Sequence, residues 1–377
     1  MSDGLTISSF PATISILRYN KQKDIKETVT FVNSLDLIIW HGSPVQWRRP
    51  KVIENILVGK KTVSTLYWGL QYQIINEVGL LRGEKISFES AMLLKLKQDN
   101  IVELNDHHEF RLTTKGANRK KQLQSILPLA PITQPIDIDL NHFGQRLILA
   151  IQVASEFSYQ NRSYYPSPAG LFDSLVVKNW FHNNKTNQLV QKINQTLTNF
   201  LQPLNSNLAN FFISNFRGHN YSGLTNQQLA DKYDIDLTFV IFVKNQLIWS
   251  FFLQVDEAGF SLWQPLSRSL GRPVISHSAR QTYEMSEQQN LSFADLARYR
   301  QVKKSTIKEH LLEVAIWLPV EKFDYQRFIS AKIVTELHDI ATDDLITMSY
   351  TQLSNKNEID FFEFRLYQIY RSKWLET

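Results

Sequence analysis

The chain has no cysteine, so disulfides and cysteine-ligated zinc are both excluded. It also lacks a clean membrane span. The longest apolar stretch, Phe239 to Val255, is broken by Lys244, Asn245 and Gln246 and falls short of the roughly 20 apolar residues that a span requires. It reads as a buried helix, and no membrane partner is expected. Met1 to Lys21 has no basic head followed by an apolar run and a small-residue cleavage site, which argues against export and makes the cytoplasm the expected compartment. Catalytic signatures are missing as well. No H-E-x-x-H occurs, and His107-His108 has no carboxylate at metal-site spacing. Gly59-Lys60-Lys61-Thr62 imitates the end of a phosphate-binding loop, but Glu54 stands where that loop needs its first glycine, so the backbone cradle is absent. Without a convergent acid, base and nucleophile, the sequence points to a binding protein with no cofactor.

What is present suits a folded, soluble chain: 377 residues, 43% hydrophobic and 20% charged, long enough for two or three cores. The formal net charge is +5, and its distribution says more than its sum. Residues 1–130 carry 18 Lys and Arg against 12 Asp and Glu, and residues 276–377 carry 13 against 15. Apolar spacing throughout is mainly helical, so the expected class is mainly α, a multi-domain helical protein. Three segments are expected: a basic region 1–127, a middle helical region 139–272 and a C-terminal region 273–377. Pro128, Pro131 and Pro135 punctuate the first boundary, each biasing the preceding residue away from helix.

In the first region, a helix over Ile86–Lys97 followed by Ile101–Leu104 and Phe110–Thr113 around Asn105-Asp106 reads as a helix-then-hairpin, the ending of a winged helix. Arg48, Arg49, Lys51, Lys60 and Lys61 form a basic tract, which reads first as a solvated helix face. In the middle region Leu189, Ile193, Leu197, Phe200 and Leu201 recur at helical intervals among amides. Tyr164, Tyr165 and Trp180 are candidates for base stacking or, more simply, for core.

The sharpest signal lies between Leu291 and Leu311. Leu291, Leu296 and Ala297 give one short apolar face, Val302 falls at a turn, and Thr306-Ile307 with His310-Leu311 resumes helical spacing. This is the layout of a helix-turn-helix. Ser292 is placed to cap the first helix, and Ser305 or Thr306 the second. Arg298, Arg300, Lys303, Lys304 and Lys308 follow one another with no intervening acid, a focus of charge suited to phosphates. With Ser305 and Thr306 they are the candidate nucleic-acid-binding residues. The plainer reading is a helix pair whose lysines keep it soluble. His310 reads as a partly buried hydrogen-bonding residue.

The same apolar skeleton is written once before. Gly223–Val240 aligns without gaps on Asn290–Ile307, pairing Leu224 with Leu291, Leu229-Ala230 with Leu296-Ala297, and Val240 with Ile307. Where the later copy has Arg298, Gln301 and Lys303, the earlier has Asp231, Asp234 and Asp236. Carboxylates repel phosphates, so the copy at 223–240 is expected to be structural or protein-binding.

Ser276, Ser278, Arg280, Thr282-Tyr283, Leu291-Ser292, Leu296-Ala297, Arg300, Val302, Ser305-Thr306-Ile307 and His310-Leu311 together resemble the helicase helix-turn-helix domain that ends some RecQ helicases. Leu112-Thr113 with Gly116, Tyr164-Tyr165-Pro166 and Phe361–Leu366 extend the resemblance to bacterial YpbB-type proteins, which are associated with RecQ-family helicases. Asn290 departs from the glycine common there, although asparagine tolerates the left-handed conformation. The resemblance implies a non-catalytic DNA-binding accessory protein whose partners are DNA and a RecQ-family helicase. The rivals are a sequence-specific helix-turn-helix transcription regulator and a pure protein-interaction scaffold.

Overall fold

The computed structural model describes residues 34–126, 128–233, 237–257, 262–289, 291–353 and 359–373. Met1–Lys21, Asp234–Asp236 and Asn290 therefore lie outside the described residues. The helices are α1 (Ser34–Trp40), α2 (Pro50–Leu57), α3 (Val63–Gln71), α4 (Ser90–Gln98), α5 (Thr114–Ile126), α6 (Leu140–Ser158), α7 (Leu171–Asn184), α8 (Leu189–Leu201), α9 (Ser206–Ser214), α10 (Asn226–Tyr233), α11 (Leu237–Glu257), α12 (His277–Gln289), α13 (Phe293–Arg300), α14 (Lys304–Trp317), α15 (Ala331–Leu337), α16 (Thr342–Thr347) and α17 (Phe361–Lys373). The described strands, β1 (Val102–Leu104) and β2 (Phe110–Leu112), pair antiparallel. The chain is mainly helical, in agreement with its apolar periodicity.

Where the sequence suggests three consecutive segments, backbone proximity groups the chain into two units, each built from separated stretches. Residues 34–51 and 80–272 form the first, and 52–79 with 273–373 the second. Pairing of segments so far apart leaves no local signal.

The first unit is built around α11. Its Phe239, Val240, Phe242, Val243 and Phe251 are fully buried. Trp40 of α1 meets the rings of Phe239 and Phe242 edge-on, Phe143 of α6 meets Phe252, and Phe200 of α8 meets Phe251. The polar residues that interrupt the helix are satisfied. Asn245 donates to the Leu80 carbonyl at 2.8 Å and Gln246 to that of Ala130 at 2.7 Å. Burial pushes the Lys244 ammonium below its ordinary pKa, against the opposing pull of Glu84. α11 is long and apolar enough to cross a membrane, yet most of it is packed inside this unit.

The helix expected over Ile86–Lys97 begins only at Ser90, and Phe88 is buried ahead of it. The hairpin follows where the sequence places it, with Val102, Phe110 and Leu112 facing inward. Asn105 closes its turn, its side-chain oxygen accepting from the backbone N–H of His107 and of Glu109, each at 3.0 Å. Gly116 sits so close to the Ile101 carbonyl that a Cβ would come within 2.1 Å of the oxygen, which explains the Leu112-Thr113 with Gly116 pattern.

In the second unit α14 is the central helix, touching α3, α12, α13 and α17. The Tyr67 hydroxyl of α3 donates to the Ile346 carbonyl at 2.6 Å, and the Arg365 guanidinium lies 3.7 Å over the Tyr67 ring. Lys373 reaches the Ala315 and Leu318 carbonyls at 2.8 and 2.5 Å, neutralising the C-terminal end of α14. Ile333, Leu337, Leu345, Leu353, Ile359, Phe364 and Tyr367 make a separate small core beneath α15–α17. The phosphate-loop imitation is a helix connection: Gly59 takes φ 85° after α2, and Thr62 caps α3 by accepting the Thr65 N–H at 3.2 Å.

Candidate nucleic-acid interface

Three helices frame the site. Ser276 caps α12, accepting the Ala279 N–H at 3.2 Å, while its own N–H and hydroxyl donate to the buried Glu313 carboxylate of α14 at 2.6 and 3.0 Å. One turn along, the Thr282 hydroxyl donates to the Ser278 carbonyl at 3.0 Å and meets His310 Nδ1 at 2.8 Å. Burial lowers the His310 pKa below 6.5; nearby Glu313 opposes the shift, Arg300 adds to it and Glu309 opposes it. His310 is thus the half-buried hydrogen-bonding residue expected from the sequence, and it clamps α12 against α14.

α13 begins where the sequence places it. Ser292 accepts the Asp295 N–H at 3.2 Å, and Leu296 and Ala297 are buried. The helix ends at Gln301, which adopts the left-handed conformation at φ 53°, and the Val302 N–H returns to the Ala297 carbonyl at 3.0 Å. Val302 is half-buried. The second cap differs from expectation. Lys303, not Ser305 or Thr306, is the extended residue before α14. An ammonium has no acceptor to offer the helix N–H groups, so Lys303 makes no side-chain cap, and Ser305 and Thr306 fall inside the first helical turn.

The seven candidate residues divide. Lys303, Lys304 and Ser305 are exposed, and neither lysine has an ion-pair partner among the described residues. Arg298 is exposed and only loosely paired, 3.6 Å from Asp295; such surface pairs contribute little. Thr306 is half-buried. Arg300 and Lys308 depart from the picture of bare outward cations. Arg300 turns onto α12, donating to the Ser278 carbonyl at 3.2 Å, the Ser278 hydroxyl at 2.8 Å and the Gln281 amide oxygen. Lys308 bonds Asp360 and lies 5.7 Å over the Phe293 ring. Burial alone would raise the Asp360 carboxyl, but the Lys308 hydrogen bond, the Phe362 N–H and the lysine charge outweigh it and hold the pKa low. What faces solvent freely is therefore narrower: Arg298, Lys303, Lys304 and Ser305, bracketing the turn. Sequence reasoning passed over Tyr299, which is 71% exposed beside Arg298; its signal was an aromatic off the Leu296–Ala297 face.

The earlier copy has the same frame and the opposite surroundings. α10 and α13 start at the aligned residues Asn226 and Phe293. Thr225 and Gln228 bond reciprocally at the α10 start, at 2.9 and 3.2 Å, in the positions of Ser292 and Asp295. Gly223, aligned with Asn290, takes φ 66°. However, only Leu237 is exposed at the start of α11, and Phe239, Val240, Ile241 and Phe242 are all buried, so the helix turns into core after its first two residues. Asp231 is exposed; Asp234 and Asp236 lie outside the described residues.

The other basic and aromatic candidates are dispersed. Arg48 donates to Gln46 at 3.2 Å and to the His41 carbonyl at 2.5 Å, Arg49 pairs with Glu109 at 2.9 Å, and Lys61 donates to the Pro273 carbonyl at 2.6 Å. Arg119 pairs with Asp36 at 3.0 Å, and Lys115 and Lys120 each reach a backbone carbonyl at 2.8 Å. Much of the N-terminal basic surplus thus serves internal partners. Trp180 is core at 1% exposure, whereas Tyr165 is 96% exposed.

Comparison with known proteins agrees with this geometry. Residues 278–368 match the family described as a helix-turn-helix domain, which suggests DNA binding. The chain is similar to Protein YpbB of Bacillus subtilis (strain 168), 22% identical over 304 residues, covering 78% of this chain and 84% of that protein. No solved structure matches.

Proposed function

We propose that this chain is a non-catalytic DNA-binding accessory protein that acts in the cytoplasm beside a RecQ-like ATP-dependent DNA helicase. The observation that carries the reading is the exposed Lys303-Lys304 pair at the start of α14, without an ion-pair partner among the described residues, inside the segment that matches a helix-turn-helix domain. Ammonium groups at that position neutralise phosphates and release counterions. The helicase partnership is supported by the resemblance to YpbB-type proteins. Its mechanism would be tethering: holding the helicase near its substrate raises local concentration and needs no catalytic group. The hairpin after α4, with Arg48 bridging Phe110 as a further rung, supports reading the N-terminal region as a winged element.

The test is binding of the full chain to forked and duplex DNA across a salt series. Lys303→Glu with Lys304→Glu should weaken both and flatten the log–log salt dependence by about 2 units, one for each phosphate no longer neutralised. Unchanged affinity at low salt removes the assigned surface. Co-purification from native cells with nuclease treatment tests the partner, and a nuclease-resistant helicase is expected. A single preferred operator sequence would support the transcription regulator instead.

A further inference from the structure

Four of the exposed large apolar side chains among the described residues lie in the loop before α7 and in its first two turns: Tyr165, Leu171, Phe172 and Leu175. Singly exposed apolar residues need no explanation, but a concentration of them marks an interaction surface. Leu171 is 82% and Tyr165 96% exposed, so the first turn of α7 and the loop before it present the patch within the first unit.

The patch is held rigidly from beneath. The buried Gln152 of α6 donates to the Tyr165 carbonyl at 3.0 Å and accepts from the Ser167 N–H and hydroxyl at 2.6 and 2.8 Å. Arg146, 1% exposed, lies 5.5 Å from the Phe172 ring centroid and is itself fixed by Asp173 at 2.5 Å and by the Leu266 and Arg268 carbonyls. A pre-ordered apolar surface loses little entropy on binding. The exposed charges of this loop and of the α7 face that carries Leu171 and Leu175 have one sign: Arg162 and Lys178 are exposed, while Asp173 is buried and paired with Arg146.

We propose that the α7 patch docks another protein through a short acidic segment with apolar anchors. Leucine side chains add nothing to base stacking, so Leu171 and Leu175 favour a protein over a single strand of nucleic acid. The cationic rim supplies the complement for Asp or Glu between the anchors.

A displayed library of random peptides, selected on the full chain, tests this. Enriched peptides should share apolar anchors interspersed with Asp or Glu. In fluorescence anisotropy their binding should weaken by about tenfold or more with Leu171→Ser plus Phe172→Ser, and stay unchanged with Leu94→Ser, an exposed leucine elsewhere. All three positions are solvent-facing, and circular dichroism melts should show that each variant folds. No patch-dependent enrichment, or a basic or uncharged consensus, overturns the proposal. So does poly-dT binding that is lost on Tyr165→Ser, which would give the patch to single-stranded nucleic acid. Self-association of the wild type that the double substitution separates would make it an interface between copies, and equally overturns it.

Discussion

At the residue scale, the difference between a cation that meets phosphate and one that holds the scaffold is set by what its end group reaches. Arg300 donates to Ser278 and Gln281, which favours a structural role. Arg300→Met should destabilise the α12–α13 packing by about 1–2 kcal/mol, seen as amide exchange in those helices faster by about 5- to 30-fold, while the salt dependence of DNA binding stays the same. A slope flattened by about 1 unit would instead place Arg300 on phosphate. His310 gives a pH test. Its folded-state pKa lies below 6.5, so the unfolded form takes up a proton first as pH falls. The stabilisation is complete above about pH 6.5 and is lost as pH drops through the lower folded value. Protection factors of α12 and α14 amides should fall on acidification from about pH 7.5 to about pH 5. His310→Asn should remove that dependence.

At the element scale, the two helix pairs show how one apolar skeleton serves two ends. Both copies bury the same positions, Leu229 and Ala230 or Leu296 and Ala297, because those residues close the short helix onto the longer one. The second helices then diverge. α11 is apolar nearly all round, with Phe239, Ile241 and Phe242 at the positions of Thr306, Lys308 and Glu309, so it becomes a core helix. Restoring charge to α10 should not restore function: Asp231→Arg, added to the Lys303→Glu/Lys304→Glu chain, should leave DNA affinity at its reduced level. Recovered affinity would show that the earlier copy can meet DNA. The repeat and the Ser292 cap were legible in the sequence because both are local patterns of apolar and hydroxyl residues. The α14 cap was not, because hydroxyls attract the cap assignment, whereas the left-handed Gln301 moves the helix start to Lys304.

For the whole molecule, the helix-turn-helix segment does not stand alone. Residues 52–79 belong to its unit, and α3 covers α14 with fully buried Leu66 and Tyr67. A fragment of residues 273–377 would expose that face and forfeit both the Tyr67 bond to Ile346 and the stacking of Arg365 on the Tyr67 ring. It should show reduced helicity by circular dichroism and rapid limited proteolysis. A resistant, fully helical fragment would show that residues 52–79 are dispensable.

The sequence by itself determined the mainly helical class, the exclusion of cysteine chemistry, the repeated helix pair and the position of its turn. Each follows from residue type at short spacing, which acts through local sterics and apolar periodicity. Tertiary structure alone decided which cations stay bare, which copy is buried and which distant stretches cohere. Those outcomes depend on partners such as Ser278 for Arg300 and Asp360 for Lys308, far along the chain and joined only when the helices pack.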